Sequence, residues 1–152
     1  TVGTICKIQV NPNASNVIPK SVTFSVDMRG TDMSSKDEVL KSLVNFIREV
    51  EKRRGVRVEV TTNTHEFPVA SSPRIVELLS RSAENLGYDY TRLVSGAFHD
   101  TVMISQFAPV GMIFIPCRDG ISHNPDEWAD YEDIKKGADV LGRTLYKLAQ
   151  DL

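Results

Sequence analysis

The residues best equipped for chemistry stand together near the end of the chain, in Gly120-Ile121-Ser122-His123-Asn124-Pro125-Asp126-Glu127. An imidazole with a hydroxyl and two carboxylates close by can ligate a divalent cation or relay a proton. A second set, Ser95-Gly96-Ala97-Phe98-His99-Asp100, offers another imidazole next to a carboxylate. Residue types alone leave a plainer alternative open, a polar loop shaped by its Asn-Pro turn. His65, between Thr64 and Glu66, has no comparable company and reads as a surface residue.

The flanking chain must position these groups. Met112-Ile113-Phe114-Ile115-Pro116 is apolar without alternation, the pattern of a strand buried on both faces. Open α/β sheets take ligands beyond the carboxyl ends of such strands, where the His123 loop follows. Thr91-Arg92-Leu93-Val94 reads as a shorter strand leading into the His99 set. If the two strands run parallel, both imidazoles open into one crevice. A helix is expected from Ser72 as N-cap and Pro73 at the first position, with Ile75, Val76, Leu79, Ala83 and Leu86 buried and Gly87 closing it. Another starts near Val102, Met103, Ile104 and Phe107. The last begins at about Tyr131, with Ile134, Ala138, Leu141, Leu145 and Leu148 on one face. The order is α-β-α-β-α, a right-handed parallel crossover.

The first half reads differently. Cys6, Ile8 and Val10 alternate with polar residues, as do Val22, Phe24, Val26 and Met28. Asp27 and Arg29 therefore share the opposite face. On that face Arg29 is either a solvated strand residue or a guanidinium fork that grips a carboxylate. Ser35-Lys36-Asp37-Glu38 has the spacing of a capping box. Leu40, Leu43, Val44, Ile47 and Val50 follow at helical spacing, and Lys52-Arg53-Arg54-Gly55 ends the helix. Val56, Val58 and Val60 predict a third strand. The result is a β-β-α-β antiparallel sheet over residues 1–68, joined by a hinge at Phe67–Pro73 to the α/β portion at 69–152. The fold class is α/β overall.

The 18 basic and 20 acidic residues nearly balance, which argues against a nucleic-acid or membrane surface as partner. Cys6 and Cys117 make neither a disulfide framework nor a zinc knuckle, so a reducing, cytoplasmic setting is expected. No apolar run approaches the ~20 residues of a membrane span, and no secretory leader is read. The start at Thr1 suggests a piece of a longer protein.

Five stretches occur together: Pro12-Asn13-Ala14-Ser15-Asn16-Val17-Ile18-Pro19, Asp27-Met28-Arg29, Ser95–Asp100, Gly111–Pro116 and Gly120–Glu127. In order and rough spacing they resemble the N-carbamoyl-L-amino-acid hydrolases. That group includes β-ureidopropionase and allantoate amidohydrolase and is related to aminoacylases and zinc carboxypeptidases. The resemblance covers essentially the whole chain. It implies a hydrolase of non-peptide linear amides with a divalent metal pair (zinc, manganese, cobalt or nickel). It implies that 1–68 is the second half of a lid that also makes a homodimer, and that 69–152 is the last part of the catalytic domain.

Carried over by residue, His123 resembles a metal ligand, and Arg29 and Asn16 resemble the holders of the substrate carboxylate. His99 with Asp100 resembles the catalytic pair near the amide. Gly96 and Phe98 line the substrate, and Ser122 and Glu127 support the metal loop. Asp100 and Glu127 are only weak extra ligands. Phe98 departs from the family, which has glycine there, and so narrows the pocket or changes preference. The family's other ligands lie upstream, so the 152 residues alone are expected neither to hold two metals tightly nor to turn over substrate. The alternatives are a non-catalytic dimerisation scaffold, or an aminoacylase or peptidase of the same clan.

Overall fold

Alternating β-branched and aromatic residues build a hairpin at the start of the chain. In the computed structural model, which describes residues 1–64 and 66–150, β1 (Val2–Asn11) pairs antiparallel with β2 (Ser21–Arg29). His65 lies outside the described residues. The register slips once, between Ile5 and Lys7. The pairs Gly3–Met28, Ile5–Val26, Ile8–Phe24 and Val10–Val22 share one face, and Thr4–Asp27, Lys7–Ser25 and Gln9–Thr23 share the other. The strict alternation predicted through Cys6 thus breaks at a bulge. An extra residue shifts the phase of one strand by one place, so Ile5 takes the apolar position and Cys6 drops out of the ladder.

α1 (Met33–Arg54) begins two residues ahead of the predicted box. Its N-cap is Asp32, whose carboxylate accepts the Ser35 N–H at 2.7 Å. A carboxylate there satisfies an orphan donor and also suits the positive end of the helix dipole. Leu40, Leu43, Val44, Ile47 and Val50 are the half-buried stripe, as their spacing predicts. Gly55 closes the helix at φ 65°, its N–H donating to the Glu51 carbonyl at 2.9 Å.

The third strand predicted at 56–60 is not found. The Val58 N–H donates to Glu51 Oε1 at 2.7 Å, and the Val58 carbonyl accepts from Arg48 Nη1 at 3.4 Å. Main-chain groups tied to helix side chains are unavailable to a ladder. Residues Thr1–Pro68 form one compact unit and Val69–Leu152 another.

In the second unit α2 (Pro73–Leu86) packs on α4 (Tyr131–Gln150). Small side chains make the contact. Ser80, Ser82, Ala83, Val140 and Thr144 are buried, and the Thr144 hydroxyl donates to the Val140 carbonyl at 2.8 Å and pairs with the Ser82 hydroxyl at 2.9 Å. The stripe predicted on α4 is displaced as a consequence: Ile134, Leu141 and Leu145 are exposed while the neighbouring Val140–Thr144 row meets α2. α3 (Thr101–Ile104) is a single turn.

The parallel strands predicted at 91–94 and 111–116 are also absent among the described residues, where β1–β2 is the only sheet. Nor is the run at 112–116 buried on both faces: Phe114 is 48% exposed, Pro116 is exposed, and Met112, Ile113 and Ile115 are half-buried, because apolar composition alone fixes neither a ladder partner nor a cover for both sides. Here the run is wedged on helices. The Val110 carbonyl accepts the Ser72 N–H at 2.7 Å. A Cβ at Gly111 would stand 2.5 Å from Ile75 Cγ2, and one at Gly137 would stand 2.8 Å from Ile115 Cγ2. The fold is thus mixed α/β, with a two-stranded antiparallel sheet. No helix among the described residues is long and apolar enough to cross a membrane.

Candidate active site

The loop between the apolar run and α4 is pinched at its base. The Arg118 N–H donates to the Trp128 carbonyl at 2.8 Å, and the Arg118 guanidinium stands 5.5 Å from the Trp128 ring centre. Tyr131 meets Trp128 edge to face at 6.4 Å. Inside the loop the Ile121 N–H returns to the Arg118 carbonyl at 3.0 Å. The Asp126 N–H donates to Asn124 Oδ1 at 3.0 Å, and the Glu127 N–H to the Asn124 carbonyl at 2.9 Å.

His123 sits in this loop at φ 55°, a left-handed conformation uncommon for a residue with a side chain. Its N–H donates to Glu127 Oε2 at 2.7 Å. That bond holds the backbone in the unusual state, and the residue is exposed. Among the described residues no group pairs with the ring nitrogens of His123. Ser122 is exposed beside it.

The His99 set folds on itself. Ser95 Oγ lies 2.8 Å from His99 Nε2 and accepts the Ala97 N–H at 3.2 Å. The His99 ring meets Phe114 edge to face at 5.7 Å. Its carbonyl accepts the Val102 N–H at 2.9 Å, and the Asp100 carbonyl accepts those of Met103 and Ile104. Asp100 precedes α3 but its side chain makes no capping bond. Thr101 Oγ1 rests on Met112 Sδ at 3.2 Å, so the run 111–116 braces this set as well. Phe98 is 57% exposed, and a Cβ at Gly96 would meet nothing within 4 Å. No hydrogen bond, ion pair or ring contact joins His99 to His123 among the described residues, so the shared crevice predicted for them has no direct contact behind it.

In the first unit Arg29 and Asp27 do share a face. Arg29 Nε donates to Asp27 Oδ1 at 3.1 Å, and Nη2 to Oδ2 at 2.7 Å. The guanidinium holds the Asp27 carboxyl below the usual carboxylate range, and Asp27 raises Arg29 in turn. Asn16 stands elsewhere. Arg29 is opposite Val2 at one end of the hairpin, whereas Asn16 belongs to the loop beyond the Asn11–Ser21 pair at the other. The eight steps from Ser21 to Arg29 span about 26 Å of strand.

The residues present do not by themselves fit a metal centre. Among the described residues no three His, Cys, Asp or Glu side chains come together as one could require. His123 offers one ligand nitrogen. An open recess lined by Ala70, Ser72, Ser105, Phe107, Ala108, Pro109 and Val110 holds none of the candidate residues. Sequence reasoning missed three partners: Ser95 behind His99, Asp27 behind Arg29, and the Arg118–Trp128 clasp. Ser95 and Asp27 stand four and two residues from the groups they hold, so a search for hydroxyls and carboxylates near each candidate would find them.

The model for peptidase family M20/M25/M40 matches residues 3–147. An N-carbamoyl-L-amino acid amidohydrolase of Geobacillus stearothermophilus is 38% identical over 150 residues, 99% of this chain and 37% of that protein. A ureidoglycolate hydrolase of Arabidopsis thaliana is 33% identical over 152 residues, 99% of this chain and 32% of that protein. The crystal structure of a hydantoinase/carbamoylase-family amidase from Burkholderia multivorans matches with a TM-score of 0.86 at 37% identity, over 94% of this chain and 35% of that one. The chain spans about a third of the length of the relatives it matches.

Proposed function

Because this chain belongs to peptidase family M20/M25/M40, we propose that it is part of an amidohydrolase that cleaves the carbamoyl C–N bond of N-carbamoyl amino acids or related ureido acids. The observation that carries this is the match to a carbamoyl amino acid hydrolase over 99% of the chain. The ureidoglycolate hydrolase match keeps the ureido group in common while the acid differs.

In this reading His123 gives one ligand to a divalent metal pair whose remaining ligands lie outside these 152 residues. Such a pair, with His123 as one of its ligands, would supply an activated water and would polarise the carbonyl. The chain's own contribution is placement. Glu127 holds the His123 backbone so that the imidazole faces outward. His99 and Asp100, with Gly96 and Phe98, meet the amide. Asp27 keeps the Arg29 fork oriented for a substrate carboxylate, the group shared by carbamoyl and ureido acids. Asn16 and Arg29 leave opposite ends of one hairpin, so one small carboxylate meets both only if they come from two chains. A homodimer is therefore part of the proposal.

The test is a substrate panel on the intact protein, with and without a chelator. Turnover of N-carbamoyl amino acids or ureidoglycolate, abolished by chelator and restored by zinc, manganese, cobalt or nickel, is expected. Turnover confined to N-acyl amino acids or dipeptides would move the protein to the aminoacylase or peptidase reading. Arg29→Ala should raise KM about tenfold, the loss of one exposed charge-assisted contact. An unchanged KM would remove Arg29 from substrate binding.

A further inference from the structure

The His99 ring can act as a base or as a hydrogen-bond donor, and its tautomer decides which. That choice is fixed by whatever holds Nε2. Ser95 Oγ stands 2.8 Å from Nε2, receives the Ala97 N–H at 3.2 Å, and lies 3.4 Å from the Ala97 carbonyl. A serine hydroxyl has one proton to give and can accept twice. If that proton went to the Ala97 carbonyl, the bond would be long beside the usual O–H···O length of about 2.7–2.8 Å. If it goes to Nε2, the short contact becomes a good O–H···N bond and the Ala97 N–H keeps its acceptor. His99 is then neutral, with its proton on Nδ1. The Phe114 edge at 5.7 Å limits rotation of the ring.

We propose that Ser95 is a positioning residue that sets the tautomer of His99, so that the ring presents Nδ1–H as a donor to the carbonyl oxygen of a bound amide. The ligand in this statement rests on the amidohydrolase reading; the tautomer does not. A donor aimed at an amide oxygen stabilises the charge that develops there as the tetrahedral species forms. In this arrangement His99 does not take the proton from the attacking water. Ser95 does not attack the substrate either; it acts only through the ring.

The experiment uses the intact protein with 15N-labelled histidine. His99 signals are identified by their loss in His99→Gln, and long-range proton–nitrogen spectra near neutral pH report the protonated nitrogen. The Nδ1–H form is expected in the wild type, a shift toward Nε2–H in Ser95→Ala, and the wild-type pattern in Ser95→Thr. In kinetics with an N-carbamoyl amino acid, Ser95→Ala should lower kcat about tenfold with KM changed less than twofold, and Ser95→Thr should restore it. An Nε2–H or doubly protonated ring in the wild type overturns the proposal. So does an unchanged tautomer in Ser95→Ala, or covalent labelling of Ser95 by a fluorophosphonate, which would make it a nucleophile. Should Ser95→Ala fail to fold, the wild-type and Ser95→Thr spectra still decide. A protein inactive on every ureido substrate but carrying the Nδ1–H ring would refute the substrate reading and leave the tautomer standing.

Discussion

Replacing Glu127 by alanine in the intact protein should release the His123 loop. His123 holds φ at 55°, a left-handed state that costs a residue with a Cβ about 1–2 kcal/mol. What opposes that cost is the bond from its N–H to Glu127 Oε2 at 2.7 Å. Hydrogen bonds to charged groups contribute about 1.5–3 kcal/mol, and the lower end applies to an exposed loop. The two terms nearly cancel, and the loop's other bonds, from the Asp126 and Glu127 N–H groups to Asn124 and from the Arg118 N–H to the Trp128 carbonyl, keep the closed state favoured. Losing about 1.4 kcal/mol moves the population about tenfold away from it. Hydrogen exchange read by mass spectrometry on peptides covering 121–127 should therefore speed up about tenfold in Glu127→Ala, with α2 and α4 unchanged. Glu127→Gln keeps a neutral acceptor and should lose about half of the effect in free energy, roughly threefold. If the ring is a metal ligand, affinity measured by chelator competition should fall in parallel, because only the competent fraction binds. Unchanged exchange at 121–127 in Glu127→Ala would refute the argument that this carboxylate holds the loop.

Two further outcomes follow from the packing. Gly111→Ala would place a Cβ 2.5 Å from Ile75 Cγ2, an overpacking that should cost about 1–3 kcal/mol in denaturant melts. Adding Ile75→Ala should cost less than the sum of the single changes, and simple additivity would deny the contact. Glu51 is held below its ordinary value of 4.5, first by Arg48 and then by the Val58 N–H. A depressed carboxyl contributes its stability above the ordinary value and loses it as pH falls through the lowered one. The melting difference between wild type and Glu51→Gln should therefore be full at neutral pH and shrink on acidification below 4.5. A difference independent of pH would exclude that role.

The helices were legible because their signals are local. Pro73 at the first position and Gly87 after the last bracket α2, with Ser72 at the N-cap position but its side chain making no capping bond, and Gly55 ends α1. Asp32 outcompeted the Ser35 box for the same kind of reason, since it too stands three residues before the amide it caps. Strands depend on partners remote in sequence. Val56, Val58 and Val60 carry the right period, yet Glu51 takes the Val58 N–H that a ladder would need. The run at 112–116 carries the right composition, yet among the described residues it meets no second strand: Met112 rests on Thr101, Phe114 on the His99 ring and Ile115 on Gly137 of α4. The bulge at Cys6 shows the same limit at smaller scale: β1 and β2 were both foreseen, but their phase depends on a register that only pairing sets.

The same division between local and distant explains the site. His123 and Glu127 are four residues apart, and so are Ser95 and His99. In each case a short loop closes by bonding one member to the other. The bonds differ in kind, and so do the consequences. Glu127 takes a main-chain N–H and so leaves a ring nitrogen of His123 open, and one lone pair is what a metal ligand must offer. Ser95 takes a ring nitrogen of His99 and so limits that ring to one remaining nitrogen. Two imidazoles that look equivalent in the sequence are thus unequal in the fold: one keeps both nitrogens available, the other only Nδ1. A metal-dependent amidohydrolase has use for that inequality, because a ligand must offer a lone pair and an oxyanion partner must offer a proton. Were the two rings interchangeable in function, Ser95→Ala and Glu127→Ala would perturb the same measurement. In the proposed reading they do not: the first should alter kcat through a tautomer, the second metal affinity through a backbone angle.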